Sequence, residues 1–449
     1  MFRRILALVA VVGLATAFAI FVKFPPIKVG ETWAPQNVAV EPKRPTLVCA
    51  GPVFVNGGQN GVTLGSFTQS GVAAVIGKDA DKNIALNITS EQVLSGQTTG
   101  TIDFNAVQAQ FANGKQAFGL AASNCVPGSN EEWLIAGDNS IGREALLILA
   151  NPTGVDATVS LQLYGTSGPI QGAGLSGISA PAGKVTVLPL SSFAPKAETF
   201  SVHVSSRGAE LGMWLQQKTV RGLTPGGLDL VGVSAMPSKE VEIPGVFIRT
   251  ASVLASLAGD NKDFHDVKPI LRITAPGDKD AEFTAQVLGA DGSSFGTVIQ
   301  GTVPAGSTRD FALEDVADGN YSIHIESDQP LLAASRFSRM SGSNTDFAWA
   351  QAVQPSKLNA GFSTVPGALS ALSIMNPKDR SASVTIDGRV YKVSANSNLV
   401  VTLSPGVRYK IKSSQEVAVS QVVDIRGGIS VVPVVDFRTV GGQLKVSVR

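Results

Sequence analysis

One ordered set of short strings recurs three times along this chain, and it constrains the fold more than any other feature. The first copy opens with 145–152 (ALLILANP), continues through Pro181-Ala182-Gly183 and closes on Phe200-Ser201-Val202-His203-Val204. The second reads 270–276 (ILRITAP), Pro304-Ala305-Gly306 and Tyr321-Ser322-Ile323-His324-Ile325. The third reads 371–377 (ALSIMNP), a divergent Ser394-Ala395-Asn396 and Tyr409-Lys410-Ile411-Lys412. Three Pro-Gly strings, Val126-Pro127-Gly128, Ile243-Pro244-Gly245 and Val365-Pro366-Gly367, lie 117 and 122 residues apart and read as a further landmark. A period of about 120 residues is too long for a solenoid unit and fits whole domains.

Inside each copy the pattern is strand and turn. In 157–164 (ATVSLQLY), Val159, Leu161 and Leu163 share one face, and 281–288 and 381–386 fill the same place in the other copies. Phe200, Val202 and Val204 alternate with Ser201 and His203; Tyr321, Ile323 and Ile325 repeat this, as do Tyr409 and Ile411. Such alternation is what a sheet with one buried face requires. Seven or so strands in about 100 residues read as an immunoglobulin-like sandwich, although the Cys–Trp–Cys signature of antibody domains is absent. The expected fold class is therefore all-β, a tandem series of such sandwiches. Forty-seven glycines, 24 prolines and only 16% charged residues agree with short strands and many turns.

The segment 5–22 is eighteen residues without a charge, preceded by Arg3 and Arg4. At about 1.5 Å per residue it reaches roughly 27 Å, enough for a transmembrane helix with the bulk of the chain exported. Ala15-Thr16-Ala17 offers the rival reading of a cleaved signal peptide, but the apolar run continues past it to Val22. Five prolines in 24–45 make an extended linker with a reach of roughly 60 Å, and Trp33 lies within it. The expected division is an anchor over 1–23, the linker over 24–45, a first β domain over 46–125, and sandwiches over 126–240, 241–360 and 361–449.

Cys49 and Cys125 are the two cysteines of the chain. In an exported protein such a pair reads as a disulfide; two separately buried thiols are the alternative. No Cys-x-x-Cys marks a redox role. Between them, 101–110 and 83–89 read as strands, and Leu120-Ala121-Ala122-Ser123 matches Leu332-Ala333-Ala334-Ser335, as if this domain were a degenerate further copy.

Candidate sites are few. Asp260, Asp263, His265 and Asp266 crowd one loop of an insertion peculiar to the second copy, and carboxylates with one His suit a hard divalent cation. A polar surface loop is the plainer account. Gly292-Ser293-Ser294-Phe295-Gly296 matches the hydrolase nucleophile pattern, but it follows a strand and precedes a strand, and Gly165-Thr166-Ser167-Gly168 stands in its place one copy earlier, so a hairpin turn fits better. Asp79-Ala80-Asp81-Lys82-Asn83 opens like a calcium loop, yet Ile84 and Ser90 stand where Gly and Glu are required. His203 and His324 fall on the polar faces of equivalent strands, and Trp133, Trp214 and Trp349 read as core. Asn87-Ile88-Thr89 fits a glycosylation acceptor. No catalytic set and no cofactor site emerge. A net charge of +1 gives no overall field for nucleic acid.

Arg3 to Pro52, with the apolar segment, the Pro-rich linker, Trp33 and Cys49-Ala50-Gly51-Pro52, together with 119–133 (GLAASNCVPGSNEEW) and the later Asn-Pro strands, resembles an uncharacterised family of actinobacterial membrane-anchored or secreted proteins. The resemblance covers most of the chain and implies a cell-envelope setting; with no established activity in the family, no functional residue carries over. The expected function is a non-catalytic, single-pass membrane protein whose exported domains scaffold or bind an envelope protein. A polysaccharide-binding array is the alternative, and a metal-dependent envelope enzyme the third reading.

Overall fold

Each copy of the repeat folds as the same pair of antiparallel sheets. The computed structural model describes residues 36–39, 46–56, 67–77, 84–85, 94–97, 105–290, 297–314, 316–436 and 443–446. The chain divides into two units, 44–438 and 1–43 with 439–449. In the smaller unit, β1 (Gln36–Ala39) pairs antiparallel with Gln443–Val446. The apolar segment 5–22, Trp33, the Asp79–Asn83 string, the Asn87 acceptor and the 292–296 match all lie outside the described residues. Among the described residues no helix is long and apolar enough to cross a membrane.

The larger unit begins with β2 (Thr46–Cys49), β3 (Phe54–Asn56), β4 (Phe67–Gln69), β5 (Ala74–Ile76), β6 (Ile84–Ala85), β7 (Leu94–Gln97), β8 (Val107–Asn113), β9 (Phe118–Asn124) and β10 (Val126–Pro127). One sheet has the order β10-β2-β7 and another β6-β5-β8-β9, while β3 pairs with β4. Cys49 ends β2 and Cys125 precedes β10, and the two form a disulfide. Closing a loop of this length stabilises the fold by about 4–5 kcal/mol in the chain-entropy model. Segment 51–54 is held by glutamines that imitate a neighbouring strand. Gln108 exchanges two bonds with the Gly51 backbone (3.0 and 3.1 Å), and Gln216 two with Phe54 (both 2.8 Å).

The second module contains β11 (Glu131–Leu134), β12 (Arg143–Ala150), β13 (Ala157–Gly165), β14 (Gly168–Ile170), β15 (Ile178–Ala180), β16 (Val185–Pro189), β17 (Phe200–Arg207), β18 (Gly212–Arg221) and β19 (Thr224–Val231). Its sheets are β11-β17-β13-β14, with β15 also on β13, and β16-β12-β18-β19. They pack face to face on Leu147, Leu149, Val159, Leu161, Val202 and Met213, among others.

The third module contains β20 (Ser238–Ile248), β21 (Ile270–Ala275), β22 (Ala281–Gly289), β23 (Val298–Val303), β24 (Ser307–Ala312), β25 (Gly319–Ser341) and β26 (Asn344–Gln351). Strand β25 serves both sheets: it pairs with β22 up to Ser327 and with β20 up to Leu331, and with β21 and β26 from Leu332 onward. The orders are thus β20-β25-β22-β23 and β24-β21-β25-β26. The fourth module, β27 (Asn359–Ser363), β28 (Leu369–Asn376), β29 (Ala382–Ile386), β30 (Arg389–Val393), β31 (Ser397–Leu403), β32 (Arg408–Ser413), β33 (Ala418–Ile425) and β34 (Gly428–Pro433), repeats them as β27-β32-β29-β30 and β31-β28-β33-β34.

The repeated strings have physical jobs. Asn151 and Asn376 are fully buried at the ends of β12 and β28. Asn151 donates to the carbonyls of Val155 and Ala180 and accepts from the Thr153 N–H; Asn376 donates to Arg380 and Ser394 and accepts from Lys378. Each ties a turn to the strand beside it. Gly183, Gly306 and Asn396 all take positive φ (68°, 66° and 47°), and each donates its N–H back to the preceding turn, at Thr153, Gly277 and Lys378. The third string diverges to Asn because Asn is the residue after Gly that best tolerates this conformation.

Two readings of the sequence are corrected. Pairing places Trp133, Glu242 and Asn359 opposite His203, His324 and Lys412, which are equivalent positions. On that alignment Pro127 precedes the first strand of its module, Pro244 lies within it and Pro366 follows it, so the Pro-Gly strings are not equivalent. Likewise Leu120–Ser123 lie in β9, a terminal strand, whereas Leu332–Ser335 lie in β25, the strand before the terminal one. The first domain still shares the order β6-β5-β8-β9 with the inner sheets of the other three.

Candidate functional site

The terminal strands of the four modules meet. β19 touches both β9 and β26, and β34 touches both β26 and β9, which closes a cycle. One carboxylate sits where they converge. Asp346, on β26, accepts backbone N–H bonds from Leu120 on β9 (2.9 Å), Leu228 on β19 (2.9 Å) and Ile429 on β34 (2.8 Å). Every other module thus contributes one donor to a side chain of the third. The preceding residues are Gly119, Gly227 and Gly428, glycines in the first half of three terminal strands. Gly119 and Gly227 take φ of 140° and 139°, and a Cβ on Gly119 would collide with the Asp346 carboxylate.

A second carboxylate extends the junction. Asp229 on β19 accepts from Trp349 N on β26 (2.8 Å) and lies 2.9 Å from the Ser430 hydroxyl on β34, which in turn accepts from Ala122 N on β9 at 3.3 Å. Burial pushes the Asp346 carboxyl up to about 7, against the lowering effect of its backbone donors. Burial, helped by the nearby Asp346, also holds Asp229 well above the usual carboxylate range. Both are enclosed by protein, and their oxygens are spent on neighbouring strands, so the pair can join modules but offers a substrate no approach.

The insertion forms a second joint. Residues 249–269 separate β20 from β21, against 135–142 and 364–368 in the neighbouring modules. They fold as α1 (Ala251–Asp260) and a short 3-10 helix, Lys262–Val267. Asp266 points inward onto the second module: its Oδ1 lies 3.0 Å from Arg143 and 2.6 Å from Arg221. Its carbonyl accepts from Arg336 at 2.6 Å. Burial works to raise the Asp266 carboxyl, but Arg336, Arg221 and Arg143 outweigh it and hold it at about 2. Arg272 lies nearby, bidentate to Asp310 (2.7 and 2.8 Å) and donating to the Gly137 carbonyl at 2.7 Å. Arg272 and Arg336 both stand over the ring of Trp349.

The four residues read as metal ligands do not converge. Asp266 is committed to arginines; the Asp263 carbonyl accepts from Arg143 and Arg221; His265 Nδ1 lies 2.9 Å from the Lys262 carbonyl; and Asp260 accepts from Ser256. Among the described residues no group of three or more His, Cys, Asp or Glu could hold a metal ion. The cause is local: the 3-10 turn sends Asp266 into the protein while Asp260, Asp263 and His265 stay at the surface.

The remaining sites resolve plainly. Trp133, Trp214 and Trp349 are buried. His203 and His324 are equivalent but only partly exposed, bonded to Glu131 and Glu242 respectively, both at 2.8 Å. β22 and β23, on either side of the 292–296 match, pair antiparallel. Sequence reasoning missed Asp346 and Asp229 altogether. The signal was present: the glycines of Phe118-Gly119-Leu120, Gly226-Gly227-Leu228 and Gly427-Gly428-Ile429 fall at or within the first half of three terminal strands, and Thr345-Asp346-Phe347 in that of the fourth.

A sequence profile for a family of unknown function (DUF5719) matches residues 85–407. The chain belongs to that family. The match takes in the Asp346 junction strands β9, β19 and β26 and the Asp266 insertion. The search of curated proteins gave no match. Among solved structures, a "Biofilm associated protein - BSP domain" aligns over 85% of this chain and 68% of its own, at 11% identity and a TM-score of 0.11, a likeness too slight to carry an argument. The Cys49–Cys125 disulfide points to an extracytoplasmic location.

Proposed function

We propose that this protein is a non-catalytic component of the cell envelope, a rigid extracytoplasmic block of immunoglobulin-like sandwiches held at the membrane by 5–22 and presenting fixed surfaces to an envelope protein. The observation that carries this reading is the four-way bond set of Asp346. Independent domains on linkers move relative to one another by default. Here buried polar groups are spent on locking modules together, which is what a spacer or scaffold gains from and a reaction centre does not. The disulfide and the charge-free run of 5–22 support the location. Sugar-stacking platforms do not support the polysaccharide alternative, since Trp133, Trp214 and Trp349 are buried.

Cross-linking in living cells tests the reading. The expected result is a discrete adduct with one envelope protein, lost when the ectodomain is replaced by an unrelated one. Recovery of the un-cross-linked chain alone would count against it, as would hydrolase or transferase activity of the purified protein.

A further inference from the structure

Strand β23 ends one side of the third module's outer sheet. It pairs with β22, and among the described residues no strand pairs with its other side. An unpaired edge is a template for a further strand, and proteins normally shorten it, break it or place charge or proline on it. The equivalent edge of the second module is split into two three-residue pieces, β14 and β15, with Pro169 in the first. Its equivalent in the fourth module, β30, carries Arg389 and Lys392. β23 reads Val298-Ile299-Gln300-Gly301-Thr302-Val303, with neither charge nor proline. Val298, Gln300 and Thr302 are exposed, Val298 by 57%.

The ladder fixes which backbone groups of β23 point off the edge. Val287 donates to the Thr297 carbonyl at 2.9 Å, so Val287 and Thr297 are a hydrogen-bonded pair. Bonded and non-bonded pairs alternate in an antiparallel ladder, and this one runs without a shift from Gln286↔Val298 to Ala281↔Val303. Ile299, Gly301 and Val303 therefore bond to β22, and the N–H and C=O groups of Val298, Gln300 and Thr302 aim away from it. A second β23, antiparallel and centred on Gln300, sets Gln300 against Gln300 and Val298 against Thr302, which pairs every one of these groups. Centred on Gly301 instead, it would set Val298 against Pro304, which has no N–H. The Gln300 register also keeps like charges apart: Glu282 lies beside Thr302, whose row continues into Val298 and then Gln286 of the second copy. Gln300 gives one amide N–H to Thr284 at 3.3 Å, which leaves the other N–H and the amide oxygen for its counterpart. We infer that this protein self-associates through the edge: β23 of two copies pairs antiparallel about a two-fold axis at Gln300 and joins the two outer sheets into one. Strand pairing alone is a small interface, so the dimer is weak and forms as concentration rises. The inference does not rest on the envelope reading.

The test is analytical ultracentrifugation of the full chain in detergent, with micelles in excess, up to about 0.5 mM, where an association with a dissociation constant of that order is measurable. A monomer–dimer equilibrium is expected. Gln300→Lys sets two cations opposite each other on the axis and should weaken it about fivefold or more, as should Gln300→Glu; an equimolar mixture of the two variants should restore it. Unchanged circular dichroism and melting of each variant would show that the fold is intact. Gln300→Cys should give a disulfide-linked dimer on mild oxidation, since bonded partners across a ladder lie about 5.5 Å apart at Cα. Gln286→Cys, exposed on β22 and about 14 Å or more from its counterpart, should not. A monomer throughout the range, dimerisation by Gln300→Lys as strong as that of the native chain, or no restoration in the mixture would overturn the proposal. A complex of β23 with a different protein in place of the dimer, lost in Gln300→Lys, would overturn the choice of a second copy.

Discussion

Asp346 and Asp266 set opposite pH limbs. Unfolded, an Asp titrates near 3.9; folded, Asp346 titrates at about 7. Between these values the native state keeps a proton the unfolded state has lost, so stability falls as pH rises, by up to about 1.4 kcal/mol per pH unit. Asp229 acts in the same direction. Asp266 does the reverse: its folded value of about 2 gives stability that is present above about pH 4 and lost as pH falls through about 2. Stability by urea unfolding should therefore peak near pH 4–5. Asp346→Asn should flatten the upper limb and leave the acid limb alone; an unchanged upper limb would contradict the placement of Asp346. A simpler test lies at Asn151. Asn151→Ala removes the donor to the buried Ala180 carbonyl and should cost about 1–3 kcal/mol, whereas Ala275, the same position in the third module, already lacks the amide. These residues divide by legibility. The Asn-Pro strings were visible because they repeat. Asp346 was not, because its partners are backbone groups of three other modules, and backbone donors leave no mark on a sequence except the glycines that make room.

At the scale of elements, alternation was read correctly in β22, whose burial alternates residue by residue, and in β13 as far as Leu163. The string ALLILA breaks that rule for a structural reason. Leu147 and Leu149 enter the core of their own module, while Leu146 and Ile148 pack against Val48, Val53 and Phe54 of the first. A strand covered on both sides reads as a continuous apolar run. The insertion was legible as an insertion, but its chemistry was not, since sequence proximity of four polar residues says nothing about which way a 3-10 turn points them. Asp266→Ala leaves Arg143 and Arg221 buried without their carboxylate and should cost about 3–5 kcal/mol by chemical denaturation, with faster hydrogen exchange in both β18 and β21. A change under about 0.5 kcal/mol, the usual scale of a surface substitution, would mean that the insertion is no clamp.

For the whole molecule, the repeat predicted units in series, and the described residues within 44–438 belong to one compact unit. Linear order was available from the strings; closure was not, because it depends on edge strands of non-consecutive modules, β9 and β34, meeting across 308 residues at Ala122 and Ser430. Differential scanning calorimetry of the oxidised protein, with Asp346→Ala beside it, addresses this directly. One cooperative transition whose calorimetric and van't Hoff enthalpies agree is expected for the native protein, splitting into two or more in the variant. Separate module transitions already present in the native protein would contradict the claim that one carboxylate binds four modules into a single body.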